Sequence, residues 1–534
     1  MNKDNEINFA KSIIKEINSN EINTEHELSL RQFFYAKKYN LTEVPARPFI
    51  LAQIKKPNIK EKKLLSIKPT RSLSGVQTIA IMLPPFDCPG KCTYCPSQFK
   101  DKTAPKSYTG FEPSTLRAQR LNYDSFEIVK NRINQLDATG NNANKIELIF
   151  QGSSFTALDY DKQEEIVKKS IDACNEKIAK NFELSKKNAE LSKRRVVGIT
   201  FETRPDICNE KDIERMLYLG GTRVELGVQN ISDSIYKKIN RGHKVKDVID
   251  ATKKLKDSSF KVLYHLMPGL PGSNFKSDLK NFRAVFNNPN FSPDMVKFYP
   301  CLVIKGSKLY TQWKKKEFEP INEDYAIKLL SKIKSEIPPY VRIMRVNRDI
   351  PSNVISAGIK KTNLRQLIEK QMIKDGTKCN CIRCREIGLS KRELNENKKI
   401  ANLKDTKPKL KILKYDASDG EEYFISFENK KNLFGFTRLR IPSNPFLKEI
   451  TNRTALIREL HVYGKGISVG SEKEEASEQH KGYGQLLINE AEKIAKEKYD
   501  MKKMIIISGI GVREYYKKKF NYKDDNYFVS KELK

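Results

Sequence analysis

The sequence predicts an α/β fold, a partial (β/α)6-type barrel followed by a smaller second domain. Three observations lead there. Short runs rich in Val, Ile and Phe recur at residues 76–83, 145–151, 196–202, 223–229, 261–267, 295–304 and 341–346, with longer helical patterns such as 115–136 and 162–191 between them. A charged, apolar-poor stretch at 386–408 interrupts that alternation. Beyond it the pattern starts again as a meander, with strand-like runs at 409–415, 423–427, 433–441 and 456–463, a helix at 482–496 and a further run at 504–508. The expected divisions are a basic amino-terminal region at 1–75, the barrel at 76–346, a cysteine-bearing segment and linker at 347–405, and the second domain at 406–534.

Composition bounds the function. A chain of 534 residues has room for two to four domains with large cores. It carries 100 Lys and Arg against 66 Asp and Glu, a formal charge of +34. Such an excess suits a polyanionic partner, because each cation that neutralises a phosphate also releases counterions. A general Lys bias is the bland explanation, so position has to decide. Nine cysteines, six of them in two tight clusters, read as metal ligands in a reducing compartment rather than as disulfides. No apolar run approaches the ~18 residues needed to span a bilayer, and the amino terminus lacks a signal-peptide core. The expected location is cytoplasmic, with no membrane partner.

Taken in order, Ile7, Ala10, Ile13, Ile14 and Ile17 recur at helical spacing, so the first twenty residues form an amphipathic helix. Between residues 31 and 71 stand Arg31, Lys37, Lys38, Arg47, Lys55, Lys56, Lys60, Lys62, Lys63, Lys68 and Arg71 against only Glu43 and Glu61. Phe33, Phe34, Tyr35 and Tyr39 lie among them, rings for packing or for stacking on bases. A solvated face is the usual meaning of a charge run. Its place just before the first cysteine cluster favours nucleic acid.

That cluster, Cys88, Cys92 and Cys95, follows the first strand-like run at C-x3-C-x2-C spacing. Three thiolates on one short loop can reach three irons of a cubane iron-sulfur cluster, leaving the fourth for a non-cysteine ligand. An open iron is what an enzyme needs to bind S-adenosylmethionine by its amino and carboxylate groups and cleave it reductively. A zinc-knuckle half or a redox dithiol needs only a C-x2-C pair and leaves the third cysteine without a purpose. Active sites of such folds lie at the carboxyl ends of the strands, where this loop falls. Gly152-Ser153-Ser154-Phe155, Glu202-Thr203-Arg204-Pro205, Gly227-Val228-Gln229 and Met267-Pro268-Gly269-Leu270-Pro271-Gly272 occupy other strand ends. Each alone is ordinarily a turn; together they ring one rim. The second cluster, Cys379, Cys381 and Cys384, suggests a structural zinc with a fourth ligand, His or Cys, from elsewhere. A second iron-sulfur cluster is its rival.

In the second domain, Gln479-His480-Lys481-Gly482-Tyr483-Gly484 precedes the predicted helix. Small residues there let backbone N–H groups at a helix start close round a pyrophosphate. With the strand-like run before it, the run at 504–508 after it, and the pair Tyr515 and Tyr516 able to protonate or orient a leaving thiolate, the arrangement looks like the acetyl-coenzyme A site of the GNAT acyltransferase fold.

Nine motifs in order then resemble the catalytic subunit of Elongator across nearly the whole chain. They are the first cysteine loop, Ser107-Tyr-Thr-Gly-Phe-Glu-Pro113, Glu202-Thr-Arg-Pro-Asp206, Arg241-Gly-His243, His265-Leu-Met-Pro268, Arg348-Asp-Ile-Pro351, Asn363-Leu-Arg365, Cys381-Ile-Arg-Cys-Arg-Glu386 and Arg458-Glu-Leu-His-Val-Tyr-Gly464. The resemblance implies a radical S-adenosylmethionine domain joined to a GNAT-like domain, acting on the wobble uridine of tRNA through the anticodon stem-loop. It implies a 4Fe-4S cluster on Cys88, Cys92 and Cys95, a 5′-deoxyadenosyl radical that takes hydrogen from the methyl group of acetyl-CoA, addition of that carbon to C5 of uridine, and hydrolysis to 5-carboxymethyluridine. Carried over by position, the acetyl-CoA contacts fall on Lys145, Glu459, Leu460, His461, Val462, Tyr483, Gly484, Gln485 and Tyr516. The basic segment corresponds to the tRNA-binding region. Gly152-Ser153-Ser154-Phe155 stands where relatives typically carry Gly-Gly-Thr-Phe. The compact first cluster and intact second one look archaeal or bacterial, implying a stand-alone enzyme, monomer or homodimer, served by an external electron donor. Two other functions compete. One is a protein lysine acetyltransferase, which has no use for the cluster; the other is a tRNA-binding scaffold with a structural cluster.

Overall fold

The computed structural model describes residues 3–54, 57–65, 75–96, 104–141, 143–387, 407–463 and 482–534. Helices Lys3–Asn18, Glu25–Lys38, Arg47–Ala52 and Ile59–Leu65 come first. Phe9, Ala10, Ile13 and Ile17, one face of the first helix, meet Ile22, Leu28, Ile50 and Leu65 in a core separate from that of the rest of the chain. The second helix starts at a capping box, in which Thr24 Oγ1 accepts from Glu27 N at 3.1 Å and Glu27 Oε2 accepts from Thr24 N at 3.0 Å.

The central sheet is built from β1 (Val76–Met82), β2 (Lys145–Gln151), β3 (Arg195–Thr203), β4 (Arg223–Gln229), β5 (Lys261–Leu266) and β6 (Met295–Phe298). After β6 come the short β7 (Val303–Ile304), β8 (Arg342–Val346) and β9 (Ile355–Ala357); β7 and β9 pair with each other, and β8 completes the sheet. Its order is β1-β2-β3-β4-β5-β6-β8, seven parallel strands that are open between β1 and β8. This is the partial barrel that the alternation predicts. Three elements differ from the sequence reading. The 115–136 pattern breaks into Pro113–Arg120 and Ser125–Ala138 because Asn122 and Tyr123 turn to φ 49° and 58°. The 162–191 pattern breaks into Tyr160–Asn175 and Phe182–Leu191 at Glu176, φ 55°. The 295–304 run divides into β6 and β7.

The two faces of the sheet differ in kind. Ile146, Leu148, Phe150, Val224, Leu226, Val262, Tyr264 and Leu266 belong to the core shared with the flanking helices. The alternate positions, among them Lys145, Glu147, Arg223, Glu225, His265 and Lys297, project into the lumen, since successive strand residues point to opposite faces. Barrel interiors are ordinarily filled by branched apolar side chains. This one is polar.

The carboxy-terminal part holds a second sheet of β10 (Lys409–Ala417), β11 (Gly420–Glu428), β12 (Leu433–Ile441), β13 (Thr454–Val462), β14 (Lys503–Ile506), β15 (Lys523–Asp525) and β16 (Phe528–Glu532), in the order β10-β11-β12-β13-β14-β16-β15. Among the described residues its only parallel strand pair is β13 with β14, and that pairing stops at Ile457, so residues 458–462 run on past it. Helix Tyr483–Tyr499 starts beside this opening. A Cβ at Gly484 would stand 3.8 Å from Val462 Cγ2 and 4.0 Å from Leu460 Cδ2.

This sheet docks against the amino ends of the barrel strands. Arg458 Nη1 and Nη2 bond Asp294 at 2.9 and 2.6 Å, and Arg458 Nη1 also reaches Phe260 O at 2.6 Å. Arg438 Nη2 bonds Tyr340 O at 2.7 Å, and Arg342 Nη1 bonds Tyr463 Oη at 3.0 Å. Gly509 and Gly511 let the backbones close on β3: a Cβ at Gly509 would lie 2.2 Å from Val197 O, and one at Gly511 2.7 Å from Val196 N. No helix among the described residues is long and apolar enough to cross a membrane.

Candidate active site

At the carboxyl rim, the first cysteine loop is held from both sides. Thr93 N donates to Ile239 O at 2.9 Å, and Leu309 N donates to Thr93 O at 2.8 Å. Cys92 is buried, with Arg241 Nη1 3.2 Å and Arg204 Nη1 4.0 Å from its Sγ. Burial opposes ionisation of Cys92, but the Arg241 charge and hydrogen bond, with Arg204 behind it, bring its thiol below the usual range. Arg204 is in turn fixed by Asp206 at 2.9 and 2.8 Å and by Arg241 O at 2.9 Å. Gly90 makes room for it, because a Cβ there would sit 2.2 Å from Arg204 Nη1. Gly90 N lies 3.4 Å from Cys88 Sγ as donor. Burial followed by the nearby Cys92 charge pushes Cys95 up to about 11.

These features fit a cubane cluster. Guanidinium and N–H donors aimed at sulfur stabilise thiolate ligands. Among the described residues, the groups whose ligand atoms all lie within 4.8 Å of one another do not include Cys88, Cys92 and Cys95. That wider spread suits thiolates on different irons rather than on one ion. Beside the loop, Tyr94, Pro96, Met267, Pro300, Leu302 and Arg348 line a cleft. After β2, Gly152 takes φ +117°, and a Cβ there would meet Met82 Sδ at 3.0 Å and Leu83 N at 3.3 Å. Ser153 adopts φ 61° with its Oγ buried and without a hydrogen-bond partner, and Ser154 is buried. Ser153 therefore keeps a left-handed backbone that glycine would adopt more cheaply, while Ser154 is extended at φ −129°.

Below the rim lies a charged upper chamber. His265 Nε2 is 2.7 Å from Glu225 Oε2, Lys297 Nζ bonds the same carboxylate, and Lys297 Nζ stands 3.8 Å from Glu202 Oε1. Tyr108 Oη donates to Glu202 Oε2 at 3.3 Å. Glu202, Glu225 and His265 offer ligand atoms within 4.8 Å of one another, but the Lys297 ammonium already serves as their cation. Burial favours the neutral amine of Lys297, and Glu225 outweighs it, holding the lysine charged.

At the opposite, amino end of the barrel, the residues assigned to the acyl donor meet across the two sheets. Burial brings Lys145 down to about 8. Burial also brings His461 down to about 4, with Lys145 among the cations that lower it, so the imidazole is neutral at pH 7. His461 lies parallel to Phe436, centroids 6.0 Å apart. The Glu459 side chain is committed to Arg438 at 2.8 Å. Gly484 faces Tyr515, whose Oη would be 3.3 Å from a Cβ there, whereas Tyr516 is buried behind Tyr515 with ring centroids 5.4 Å apart. Tyr483 packs on Phe427 at 4.9 Å. Gln485 Nε2 bonds Asn489 Oδ1 at 2.7 Å, Gly482 takes φ +76° at the helix start, and Gln479 lies outside the described residues.

Cys379, Cys381 and Cys384 bring their sulfurs within 4.8 Å of one another, and no fourth ligand joins that group among the described residues. Hydrogen bonds from Cys379 and Cys384 lower the Cys381 thiol despite burial. The cluster sits at the junction of the two sheets. Ile382 N bonds Val341 O at 2.9 Å, Arg385 pairs with Glu428, and Glu386 pairs with Arg342 at 2.8 Å.

On the amino-terminal helices, the four aromatic residues divide. Tyr35 Oη bonds Glu16 at 2.6 Å and Tyr39 Oη meets Ser12 Oγ at 2.8 Å, so both are structural. Phe33 and Phe34 are 68 % and 53 % exposed. Arg31 and Arg47 are spent on Glu16 and Glu25 at 3.0 and 3.1 Å, while Lys55, Lys56, Lys68 and Arg71 lie outside the described residues.

The sequence reading quoted Arg204 and Arg241 within motifs but gave them no role, and it missed the polar lumen altogether. The lumen's signal was present in Lys-Ile-Glu-Leu-Ile-Phe-Gln of β2 and Arg-Val-Glu-Leu-Gly-Val-Gln of β4. Parallel strands buried on both faces read as continuous apolar runs, and these alternate instead.

Residues 82–282 match the model of the Radical SAM superfamily, and residues 293–374 match that of the Radical_SAM C-terminal domain. A protein of Methanocaldococcus infernus named tRNA uridine(34) acetyltransferase is 47% identical over 487 residues, spanning 89% of each chain. Elongator complex protein 3 of Schizosaccharomyces pombe is 36% identical over 544 residues, spanning 98% of this chain and 97% of its own. The structure of the archaeal Methanocaldococcus infernus Elp3 with its N-terminus (1-46) deleted superposes with a TM-score of 0.75 at 44% identity, covering 86% of this chain and 99% of the other.

Proposed function

The chain belongs to the family of the tRNA uridine(34) acetyltransferases and Elongator complex protein 3, and from that premise we propose that it carboxymethylates the wobble uridine of tRNA, using S-adenosylmethionine and acetyl-CoA. It is an enzyme that transfers an acyl group. The observation that supports the finer reading most is the placing of two sites at the two ends of one barrel. Sulfur-directed guanidinium groups lie at the carboxyl rim, and Lys145 approaches His461 at the amino end.

Cys88, Cys92 and Cys95 would hold a 4Fe-4S cluster, and Gly152 to Ser154 would bring backbone to S-adenosylmethionine. When bound, this pair supplies a carbon-centred radical able to take hydrogen from an unreactive methyl group. Arg241 and Arg204 favour the thiolate of Cys92 and tie its loop to the rim. Glu202 and His265 line the chamber beneath, where the proton leaving C5 of the uridine can be accepted as the radical adduct gives up the one electron that the external donor supplied at the start. Phe33 and Phe34 offer stacking faces, and the surrounding lysines meet phosphates.

For the acyl donor, the second sheet works as a GNAT-like domain. The divergence of β13 from β14 past Ile457 opens backbone groups to an amide-bearing arm, the start of helix Tyr483–Tyr499 suits a pyrophosphate, and Lys145 adds a cation. Tyr515, turned toward Gly484, is placed to protonate a leaving thiolate, with Tyr516 packed behind it. Cys379, Cys381 and Cys384 would hold a structural zinc that pins the junction, with thiolate ligands of the right kind for that ion.

The test is an anaerobic reaction of reconstituted protein with reductant, S-adenosylmethionine, acetyl-CoA and tRNA, read by nucleoside mass spectrometry. The expected product, 5-carboxymethyluridine, requires every component and vanishes in Cys92→Ser, which still binds tRNA. Acetyl-CoA turnover onto protein lysine with no altered uridine would instead favour a protein acetyltransferase.

A further inference from the structure

Six arginines are buried among the described residues: Arg204, Arg223, Arg241, Arg438, Arg440 and Arg458. Five of them stand within salt-bridge distance of a carboxylate, Arg204 of Asp206, Arg223 of Glu147, Arg438 of Glu459, Arg440 of Asp257 and Arg458 of Asp294. Arg241 is the exception among the described residues. It is 6 % exposed, its guanidinium bonds Cys92 Sγ at 3.2 Å and Gly227 O, and its Nε has no hydrogen-bond partner. Tyr94 beside it stays a neutral phenol, because burial pushes it well above the usual phenol range. A guanidinium taken out of water without an anion is costly. This one calls for negative charge on the cysteine side.

Both rim arginines reach the cysteine loop through gaps that glycine leaves. A Cβ at Gly227, in β4, would stand 2.9 Å from Arg241 Nη2, and one at Gly90 would stand 2.2 Å from Arg204 Nη1. The Arg241 backbone is fixed as well, since its N donates to Tyr236 O at 2.9 Å and its O accepts from Arg204 Nη2 at 2.9 Å. The two cations are unequal. Arg204 lies farther from Cys92 Sγ, at 4.0 Å, and Asp206 offsets its charge through two hydrogen bonds at 2.9 and 2.8 Å. Arg241 is closer and has no such offset.

An iron-sulfur cluster on three thiolates is a net anion, and reduction by one electron makes it more so. Its potential therefore depends on the charge and the hydrogen bonds around its sulfurs. A cation held in a buried, low-dielectric site favours the reduced form.

We infer that Arg241 is the resident counter-cation of the cluster and, acting through Cys92, sets how readily the cluster accepts its electron, while the Arg204–Asp206 pair trims that setting. This rests on the reading of Cys88, Cys92 and Cys95 as cluster ligands. It goes further in giving Arg241 a redox-tuning role separate from any contact with S-adenosylmethionine. The electron comes singly from the external donor, a low-potential one-electron carrier, which is oxidised as the cluster is reduced; no bond at Cys92 is made or broken.

The experiment is a potentiometric titration of the full-length, cluster-reconstituted protein with titanium(III) citrate and mediators, without S-adenosylmethionine or tRNA. The electron paramagnetic resonance of the reduced cluster is the readout. In Arg241→Gln the ratio of reduced to oxidised cluster should be about tenfold lower at any given potential, a midpoint about 59 mV more negative. Arg241→Lys should recover most of that loss. Asp206→Asn should move the midpoint the other way, because it strips the offset from Arg204. An unchanged midpoint in a cluster-loaded Arg241→Gln overturns the inference, and a lowered affinity for S-adenosylmethionine in the same variant would then assign Arg241 to the carboxylate of that molecule. If Arg241→Gln takes up no cluster, Asp206→Asn decides: a raised midpoint upholds the inference and an unraised one overturns it. A wild-type protein that takes up no iron and sulfide overturns the reading of the cysteines, and the inference with it.

Discussion

Two clusters of buried charge lie within this molecule, and they are built differently. At the interface of the two sheets, Lys256, Asp257, Asp294, Glu422, Arg438, Arg440 and Arg458 are all fully or almost fully buried, and every cation meets a carboxylate. Arg458 alone makes two bonds to Asp294 and one, at 2.6 Å, to Glu422. In the lumen, Arg223 and Glu225 are as deeply buried but keep unmatched atoms pointing inward. Taking charges out of water is repaid only when geometry and further hydrogen bonds satisfy them. The interface meets that condition for each of its carboxylates, with only Arg438 Nη1 and Arg458 Nε left over among these residues; the lumen leaves atoms of both members of its pair, Arg223 and Glu225, unmatched.

The largest effect that would test this contrast is Arg458→Met. It strands Asp294 and Glu422 in the interior and should destabilise the protein by about 3–5 kcal/mol, measured by denaturant unfolding monitored separately in the two sheets. Retained stability would show that the interface is not held by this network. Next comes the cation at the amino mouth. Below pH 8 the Lys145 amine, brought down to about 8 by burial, carries the charge that meets the donor's phosphates; above it the charge is lost. Acetyl-CoA affinity should therefore fall as pH rises from 7 to 9. Lys145→Met should bind about tenfold more weakly at pH 7, a loss near 1.4 kcal/mol, and show no such fall; calorimetric titration reads both. A variant that keeps the wild-type pH profile removes Lys145 from the site. The smallest effect on stability is expected from Arg223→Met, about 1 kcal/mol or less, because Glu225 keeps Lys297 and His265 while Glu147 remains partly in contact with solvent. If Arg223→Met costs as much as Arg458→Met, the two clusters are alike and the contrast collapses.

Much of this was legible in the sequence, and the rest was not for physical reasons. The barrel strands announce themselves by dense Val, Ile and Phe, and Cys88, Cys92 and Cys95 fall at the end of the first because chemistry in such sheets sits at strand ends. The helix breaks at Tyr123 and Glu176 carry no glycine or proline to mark them; both residues simply take the left-handed conformation. Strand β15, Lys-Asp-Asp, and helix Arg513–Phe520, rich in lysine, have compositions that no local rule reads as part of a core. The docking of Arg438, Arg440 and Arg458 joins residues distant in sequence, so nothing near them in the chain distinguishes them from surface arginines. The same holds for Arg241 and Cys92, whose 3.2 Å approach depends on the whole rim being assembled.

In the reaction proposed here, the two ends of one barrel serve a single chemical outcome. The most direct test supplies acetyl-CoA deuterated in its methyl group, together with S-adenosylmethionine, reductant and tRNA, and follows where the deuterium goes. Expected are deuterium in the recovered 5′-deoxyadenosine and the remainder in the carboxymethyl group of the modified uridine. Unlabelled 5′-deoxyadenosine, formed while acetyl-CoA is hydrolysed and the uridine gains no label, would mean that the two ends act separately, and would contradict that single outcome.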